Sequence, residues 1–133
     1  MTVGGALMSG DRNVLGGPLG SCSTDPVTGW FRDGCCRTDD SDLGSHTVCV
    51  QVSGPFLKFS AERGNDLSTP VVQHGFPGLR PGDRWCLCAA RWLEAYEAGA
   101  APPVVLSSTH EKALTIVPLE LMLAHALDMV AIA

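Results

Sequence analysis

The chain has 133 residues, of which 45% are hydrophobic and 17% charged, and its 9 lysines and arginines against 14 aspartates and glutamates give a formal charge of -5. This composition fits one compact globular domain. Because phosphate binding needs clustered cations and the chain has no basic run, its composition excludes nucleic acid and anionic membranes as main partners.

Nothing in the sequence predicts a membrane segment or a secretory leader. No stretch approaches the roughly 18 consecutive apolar residues of a transmembrane helix, and the N-terminal residues lack the charged and apolar regions of a signal peptide. We therefore expect a cytoplasmic protein with no membrane partner. Residues 1–12 are Gly-rich and predict a flexible N-terminal segment, while residues 13–133 predict a single globular domain.

The first half of the chain predicts turns followed by two strands. Asp25 and Pro26, with Gly29, predict a tight turn. Residues 29–34 (GWFRDG) predict a short aromatic strand. Residues 45–53 (SHTVCVQVS) have the clearest strand pattern, because alternate valines share one face.

The middle of the chain predicts a helix, a long loop and a second strand. Residues 55–64 begin with a proline and end with a glycine, which indicates a short helix. Residues 65–83 are irregular and rich in Pro and Gly, and loops of this length in a compact domain are uncommon and often functional. Residues 84–92 then predict a buried strand, and residues 91–99 a short helix.

The C-terminal third completes an α+β pattern. Residues 101–109 predict a Val-rich strand, and the β-branched composition of 112–117 favours another, although Ser108 and Glu111 have the spacing of a helix capping box. Pro118 begins an amphipathic helix whose apolar side holds Leu119, Met122, Leu123, Ala126 and Leu127. The predicted fold is α+β: a small mixed sheet or partly closed β-barrel flanked by short helices, with a C-terminal amphipathic helix.

Six cysteines leave four alternatives open: disulfides, a metal site, reactive thiols or small buried side chains. Disulfides are the least expected in a cytoplasmic protein, and the absence of a Cys-x-x-Cys motif weakens a zinc site. Zinc is therefore a candidate cofactor that is not favoured over buried, non-ligating thiols. The candidate metal ligands, from strands expected to pair, are Cys36, Cys49, Cys86 and Cys88.

The candidate catalytic residues lie around the adjacent cysteines and the long loop. A thiolate from Cys35 or Cys36 would act as nucleophile or metal ligand. Asp33, next to the doublet, or His74, in the long loop, would assist it. A concave polar pocket with an aromatic wall would add the binding residues Arg84, Trp85 and Asp25.

Five blocks of the sequence, in order, carry a resemblance to a known family. They are NVLGGPLGSCSTDPVTGWFRDGCC, GSHTVCV, FSAERGNDLSTP, GFPGLRPGDRWCLCAARW and APPVVLSSTHEKAL. The chain resembles, from about Asn13 to about His125, the bacterial and plant/algal family known as domain of unknown function 2237. The resemblance implies a small single-domain protein whose pattern includes the six cysteines, and it supplies no catalytic or ligand role.

The function that these residues favour is a small binding or catalytic domain. Its site would be a Cys-lined polar pocket near the 65–83 loop, with a small molecule or a protein as partner. The alternative is a structural or protein-interaction domain whose cysteines are buried and bind nothing. The residues determine neither the substrate nor the oligomeric state, and they leave open whether the protein is an enzyme.

Overall fold

The computed structural model describes residues 10–128, and the fold is built on one antiparallel pair of strands. We call this pair the hairpin, although a helix and the 65–83 loop separate its strands along the chain. Strand β1 spans His46–Gln51 and strand β2 spans Arg84–Cys88, and together they form an open two-stranded sheet. Both strands are rich in apolar residues, and their central residues are buried, as expected for strands covered on both faces. The predicted α+β class is confirmed, and the sheet is not a closed barrel.

Within the described residues, three α-helices flank the hairpin: α1 at Gly54–Glu62, α2 at Ala89–Glu97 and α3 at Leu119–Leu123. Helix α1 begins where the Ser53 hydroxyl accepts the Phe56 N–H at 3.2 Å. Helix α2 follows β2 without a loop, so the last strand residue, Cys88, is also the residue that precedes the helix. The predicted C-terminal helix is present, although it has only five residues.

The hydrophobic core lies between the hairpin and the helices. Trp92 of α2 is fully buried, and its indole N–H donates to the carbonyl of Pro102 at 3.1 Å. The largest side chains that share this core are Phe56, Leu87, Leu106, Met122, Val48, Val50, Val104 and Val117. This packing holds β2 and α2 as one rigid unit and so positions the junction between them.

The aromatic segment 29–34 is not a strand. Gly29, Arg32 and Gly34 all have positive φ angles, of 99°, 55° and 88°, which are incompatible with an extended chain. A side-chain Cβ at Gly29 would lie 2.3 Å from the carbonyl oxygen of Cys35, so the segment folds tightly back on itself. The prediction of an aromatic strand was wrong, because turn-forming glycines outweighed the β-propensity of two aromatic residues.

The predicted strands of the C-terminal third form only in part. Val104 pairs through single bridges with Val50 and with Ala126, and Leu106–Ser108 then turn into a 3-10 helix. Glu111–Thr115 form a second 3-10 helix, so the strand expected at 112–117 was wrong. That helix is capped by the ring of His110, whose Nδ1 accepts the Lys112 N–H at 3.0 Å.

Two disulfides tie the N-terminal loops to the hairpin. Cys22 is bonded to Cys49 of β1, and Cys36 is bonded to Cys86 of β2, with Cα–Cα distances of 5.8 and 5.3 Å. The expectation that disulfides would be the least favoured state of these cysteines was therefore wrong. It was drawn from composition and compartment, whereas pairing depends on which side chains the fold brings within bonding distance. The flexible segment expected at residues 1–12 lies almost wholly outside the described residues.

Candidate functional site

A thiol and an imidazole lie side by side at the end of the strand pair where β1 begins and β2 ends. The Sγ atom of Cys88 lies 3.2 Å from Nε2 of His46, although the two residues are 42 positions apart in the chain. His46 pairs with Cys88, but Val48 pairs with Leu87, so one extra residue interrupts the register between them. Such a bulge changes the direction in which the neighbouring side chains point. This bulge lies at the end of the strand pair, next to the position where the imidazole of His46 and the thiol of Cys88 face each other.

The other nitrogen of the imidazole is held by a buried carboxylate. Nδ1 of His46 lies 2.6 Å from Oδ1 of Asp42, and the backbone N–H of His46 donates to Oδ2 of Asp42 at 2.9 Å. The hydroxyl of Thr38 donates to the same Oδ2 at 3.0 Å, and the Asp42 side chain has no solvent exposure. Between the two residues, Ser45 has a φ of 50°, a left-handed conformation that few non-glycine residues adopt. This tight turn brings the carboxylate beneath the imidazole of His46.

These contacts shift the ionisation of both partners of the imidazole–carboxylate pair. The hydrogen bond with Cys88 is the main cause that raises the pKa of His46 to about 9, and the hydrogen bond with Asp42 adds to it against the opposing effect of burial. Burial on its own would raise the pKa of Asp42, but hydrogen bonds from His46 and Thr38 leave it below its usual value. The site therefore favours a protonated His46 between Asp42 and the Cys88 sulfur.

The N-terminus of α2 adds a second source of positive potential next to the sulfur. Cys88 directly precedes the helix, whose first N–H groups have no acceptor within the helix. The N–H of Ala89 donates to the carbonyl of Ser45 at 3.0 Å, which fixes the helix to the tight turn before His46. The next two N–H groups, of Ala90 and Arg91, have no acceptor in a preceding turn of this helix. Partial positive charge at a helix N-terminus stabilises an anion such as a thiolate or an oxyanion.

A cavity of about 430 Å³ opens beside the sulfur. Its lining residues are Leu43, Gly44, Cys88, Ala90, Arg91, Glu94 and Ile116. Gly44 lies against the reactive atoms, since a Cβ built on it would be 3.0 Å from Cε1 of His46 and 3.1 Å from Sγ of Cys88. The indole of Trp30 stacks on the His46 ring, with ring centroids 5.5 Å apart and planes at 15°, and limits its rotation.

The arrangement has the parts that nucleophilic catalysis by a thiol requires. A nucleophile, an imidazole that can give and take a proton within hydrogen-bond reach, and a carboxylate that orients the imidazole follow one another from Cys88 to His46 to Asp42. Half-buried Cys88 is accessible from the cavity, while Asp42 is fully covered. We refer to Cys88, His46 and Asp42 as the thiol triad.

The structure separates the predicted catalytic residues from this triad. Cys36 is fully buried in its disulfide. Cys35 is a free thiol, but burial, together with the charge of Asp33, raises its pKa and so disfavours the thiolate. Asp33 pairs instead with Arg37, at 2.7 Å. His74 lies on an exposed 3-10 turn of the long loop.

The predicted binding residues are also only partly brought together. Trp85 and His74 line one cavity of about 390 Å³, together with Arg32, Asp66, Leu67, Val71 and Phe76. The lining residues of this loop cavity include no cysteine. Arg84 begins β2 opposite Gln51, and Asp25 lies in an exposed turn and is joined to Pro26 by a cis peptide bond.

Three of the four candidate metal ligands have their sulfur in a disulfide. Cys36 is bonded to Cys86 and Cys49 to Cys22, so none of them offers a thiolate in this form of the protein. The fourth, Cys88, is hydrogen-bonded to His46. In this disulfide-bonded form, Cys36, Cys49 and Cys86 therefore offer no free ligand to join Cys88 in the expected composite site. Cys88 also lies on the other side of the bulge, while the three remaining residues belong to a separate buried cluster.

Sequence reasoning chose neither His46 nor Asp42 as a site residue, and it assigned Cys88 to a metal site rather than to a nucleophile. Two features bear on the site: an acidic residue four positions before a histidine, which the sequence shows, and a cysteine directly before a helix, which only the structure shows because the strand was expected to continue to residue 92. Neither is specific alone, since both patterns are common in structural contexts. Only the register between β1 and β2 shows that His46 and Cys88 lie side by side.

A family model described as an uncharacterised protein conserved in bacteria, DUF2237, matches residues 12–126. The chain belongs to this family. The resemblance drawn from the five sequence blocks is thus confirmed, and the match spans the thiol triad of this DUF2237 protein. No curated protein is significantly similar to it. Among residues 10–128, no helix is long and apolar enough to cross a membrane.

Proposed function

We propose that this DUF2237 protein is a thiol-dependent enzyme that transfers or hydrolyses acyl groups, with Cys88 as nucleophile. The observation that carries the proposal is the contact of the Cys88 sulfur with His46, at 3.2 Å, with the opposite ring nitrogen held by Asp42 at 2.6 Å. This is the order of groups that nucleophilic cysteine catalysis uses on unrelated folds.

The proposed reaction has two steps. The Cys88 sulfur, its proton held on Nε2 of His46, bonds to a substrate carbonyl carbon, and His46 gives that proton to the leaving group as the carbon–leaving group bond breaks. Water then attacks the thioester. His46 takes a proton from the water, the carbon–sulfur bond breaks, and the carboxylic acid leaves with the Cys88 sulfur and the protonated His46 restored. Asp42 holds the ring in the tautomer that both transfers need and stabilises the imidazolium.

The groups around the sulfur support acyl chemistry in particular. A tetrahedral intermediate places negative charge on the former carbonyl oxygen, which needs N–H donors nearby. The N–H groups of Ala90 and Arg91 at the start of α2 are the candidate donors, and both residues line the cavity. Leu43 and Ile116, exposed on the same cavity, would contact the apolar part of the acyl group.

The structural alternative explains the triad less well. A contact made only for stability would gain more from enclosure than from an accessible thiol, because a hydrogen bond is stronger in the low dielectric of the protein interior. The cysteine of the triad is half-buried and faces a cavity, and a glycine leaves room above it. Trp30 and Asp42 restrict the imidazole, yet neither covers the sulfur in the way that the core covers Cys36.

The test compares two free thiols in the same molecule. The probes are iodoacetamide, which alkylates thiolates, and p-nitrophenyl acetate, which leaves an acetyl group on the reacting thiol. We expect peptide mapping to find both groups on Cys88 well before Cys35, whose pKa is raised. His46→Gln should lower ester turnover by about 10²–10⁴-fold, the usual contribution of a positioned acid–base group.

Matched variants separate chemistry from folding. Cys35→Ser should keep wild-type turnover, whereas Cys88→Ser should lose it while the circular dichroism spectrum stays unchanged. Equal labelling of Cys35 and Cys88 at pH 7, or full turnover in Cys88→Ser, would contradict the proposal. Alkylation without any acetyl transfer would reject acyl chemistry and leave a reactive thiol of another class.

A further inference from the structure

The four disulfide-bonded cysteines form one buried sulfur cluster, which we call the sulfur cluster: Cys22, Cys36, Cys49 and Cys86. They pack together with Val105 in a small core of their own, and none of the four is more than 6% exposed. Four separate stretches of chain supply them. The cluster does not include either residue of the Cys88–His46 contact.

Three of the four sulfur atoms lie close enough together to share a single ion. The Sγ atoms of Cys22, Cys36 and Cys49 are all within 4.8 Å of one another. The fourth, of Cys86, is bonded to Cys36, and its residue is directly opposite Cys49 in the hairpin. Four thiolates around Zn²⁺ at about 2.3 Å place their sulfurs roughly 3.8 Å apart in a tetrahedron. To become the fourth ligand, the Cys86 sulfur needs to move by side-chain rotation once reduction frees it from Cys36.

We propose that the reduced protein binds one Zn²⁺ ion at the sulfur cluster, so that a metal replaces the two disulfides as the link between the N-terminal loops and the hairpin. The conversion needs a dithiol reductant. Two dithiol molecules supply four electrons and four protons, cleave both sulfur–sulfur bonds and become disulfides themselves. Binding of Zn²⁺ then deprotonates the four thiols and releases four protons.

The chemistry of the cluster selects zinc over a hard cation. All four donor atoms are sulfur, and soft thiolates favour Zn²⁺ where carboxylates and carbonyls favour Mg²⁺ or Ca²⁺. Four buried ligands with no open position form a closed site, which is typical of structural rather than catalytic zinc. We therefore expect the molecule to hold two disulfides under oxidising conditions and one zinc ion under reducing conditions.

The experiment uses the full chain carrying Cys35→Ser and Cys88→Ser, so that only the four cluster cysteines remain. The protein is reduced without oxygen, freed of reductant and titrated with Co²⁺, whose tetrahedral thiolate complexes absorb strongly in the visible range. We expect saturation at one equivalent, displacement by Zn²⁺, and no absorption from the oxidised protein. Adding Cys22→Ser should weaken binding by at least the roughly 10–100-fold that loss of an outer-sphere partner costs.

Thermal unfolding distinguishes a built site from thiols on an unfolded chain. Zn²⁺ should raise the unfolding midpoint of the reduced protein and leave that of the oxidised protein unchanged. Weak, octahedral Co²⁺ absorption would overturn the proposal, and so would metal binding without a rise in the midpoint. Because this variant lacks Cys88, the outcome is independent of whether Cys88 is a nucleophile.

Discussion

At the scale of single residues, the site depends on how one imidazole is held from both of its nitrogens. Asp42 fixes Nδ1 and Cys88 contacts Nε2, while Trp30 stacks on the ring face. Three contacts of different kinds leave the ring of His46 one orientation. An imidazole held in this way reaches the sulfur without a conformational search, which is the preorganisation that acid–base catalysis benefits from.

Replacing the thiol should change the ionisation of His46. The hydrogen bond with Cys88 is the largest cause that raises the pKa of His46 to about 9. In Cys88→Ser we expect that pKa to fall toward its ordinary value of about 6.5, so that the ring is neutral at pH 8 instead of charged. NMR titration of the imidazole nitrogens measures this directly. An unchanged pKa in the variant would show that Asp42 alone controls the ring.

The raised pKa of His46 makes the stability of the folded protein depend on pH. Because the pKa of His46 is higher in the folded protein than the ordinary value of the unfolded chain, protonation of His46 favours the folded state. This contribution is fully present below about pH 6.5 and is lost as the pH rises through about 9. It acts in the opposite direction to the usual carboxylate contribution, which is lost on acidification.

At the scale of secondary-structure elements, local patterns predicted the parts that depend only on local chemistry. The valine alternation of β1 and the proline and glycine that bound α1 are local, and both elements formed where expected. The strand predicted at residues 29–34 did not form, because Gly29 and Gly34 adopt positive φ angles that bend the chain in spite of the two aromatic residues. The thiol triad was beyond reach from sequence, since it depends on a one-residue interruption of register between strands far apart in the chain.

The pairing of the cysteines in disulfides could not be predicted from the sequence either. Every cysteine was visible in the sequence, yet six cysteines permit many pairings, and the pairing follows from tertiary proximity. Cys49 and Cys86 face each other across the hairpin, but each bonds to a cysteine from an N-terminal loop instead. Spacing rules could not have shown this, because the loops that carry Cys22 and Cys36 have no regular structure.

The turn that carries Gly44 offers a test of access to the sulfur. In Gly44→Ala the new Cβ would crowd both Sγ of Cys88 and Cε1 of His46, at 3.1 and 3.0 Å. We expect the variant to fold and its alkylation by iodoacetamide to slow roughly tenfold, because shifts of a fraction of an ångström misalign the reacting groups.

The matched control for this variant is Gly54→Ala at the start of α1, where a new Cβ meets nothing within 4 Å. Its alkylation rate should equal that of the wild type, measured by mass spectrometry at the Cys88 peptide. A Gly44→Ala protein with wild-type rates would show that reagents approach the sulfur from another direction.

At the scale of the whole molecule, two cross-links hold irregular loops against a small sheet. A two-stranded sheet is marginal alone, and here it gains stability from helices on its flanks and from covalent links to the N-terminal third. The link from Cys36 to Cys86 has a direct relation to the site. Cys36 precedes Thr38 and Asp42 in one loop, and Cys86 is two residues before Cys88, so this disulfide joins the carboxylate side of the triad to the thiol side.

Removing one cross-link at a time should therefore separate stability from reactivity. The two disulfides close loops with sequence separations of 50 and 27 residues. On loop-closure entropy each contributes about 4 kcal/mol to the free energy of unfolding. Urea unfolding should find Cys36→Ala/Cys86→Ala and Cys22→Ala/Cys49→Ala destabilised to a similar degree. Alkylation of Cys88 should slow more in the first pair, because only that pair frees the Asp42 loop from β2. If alkylation slowed equally in both pairs, general loosening of the fold, and not the position of Asp42, would control the rate at which Cys88 is alkylated.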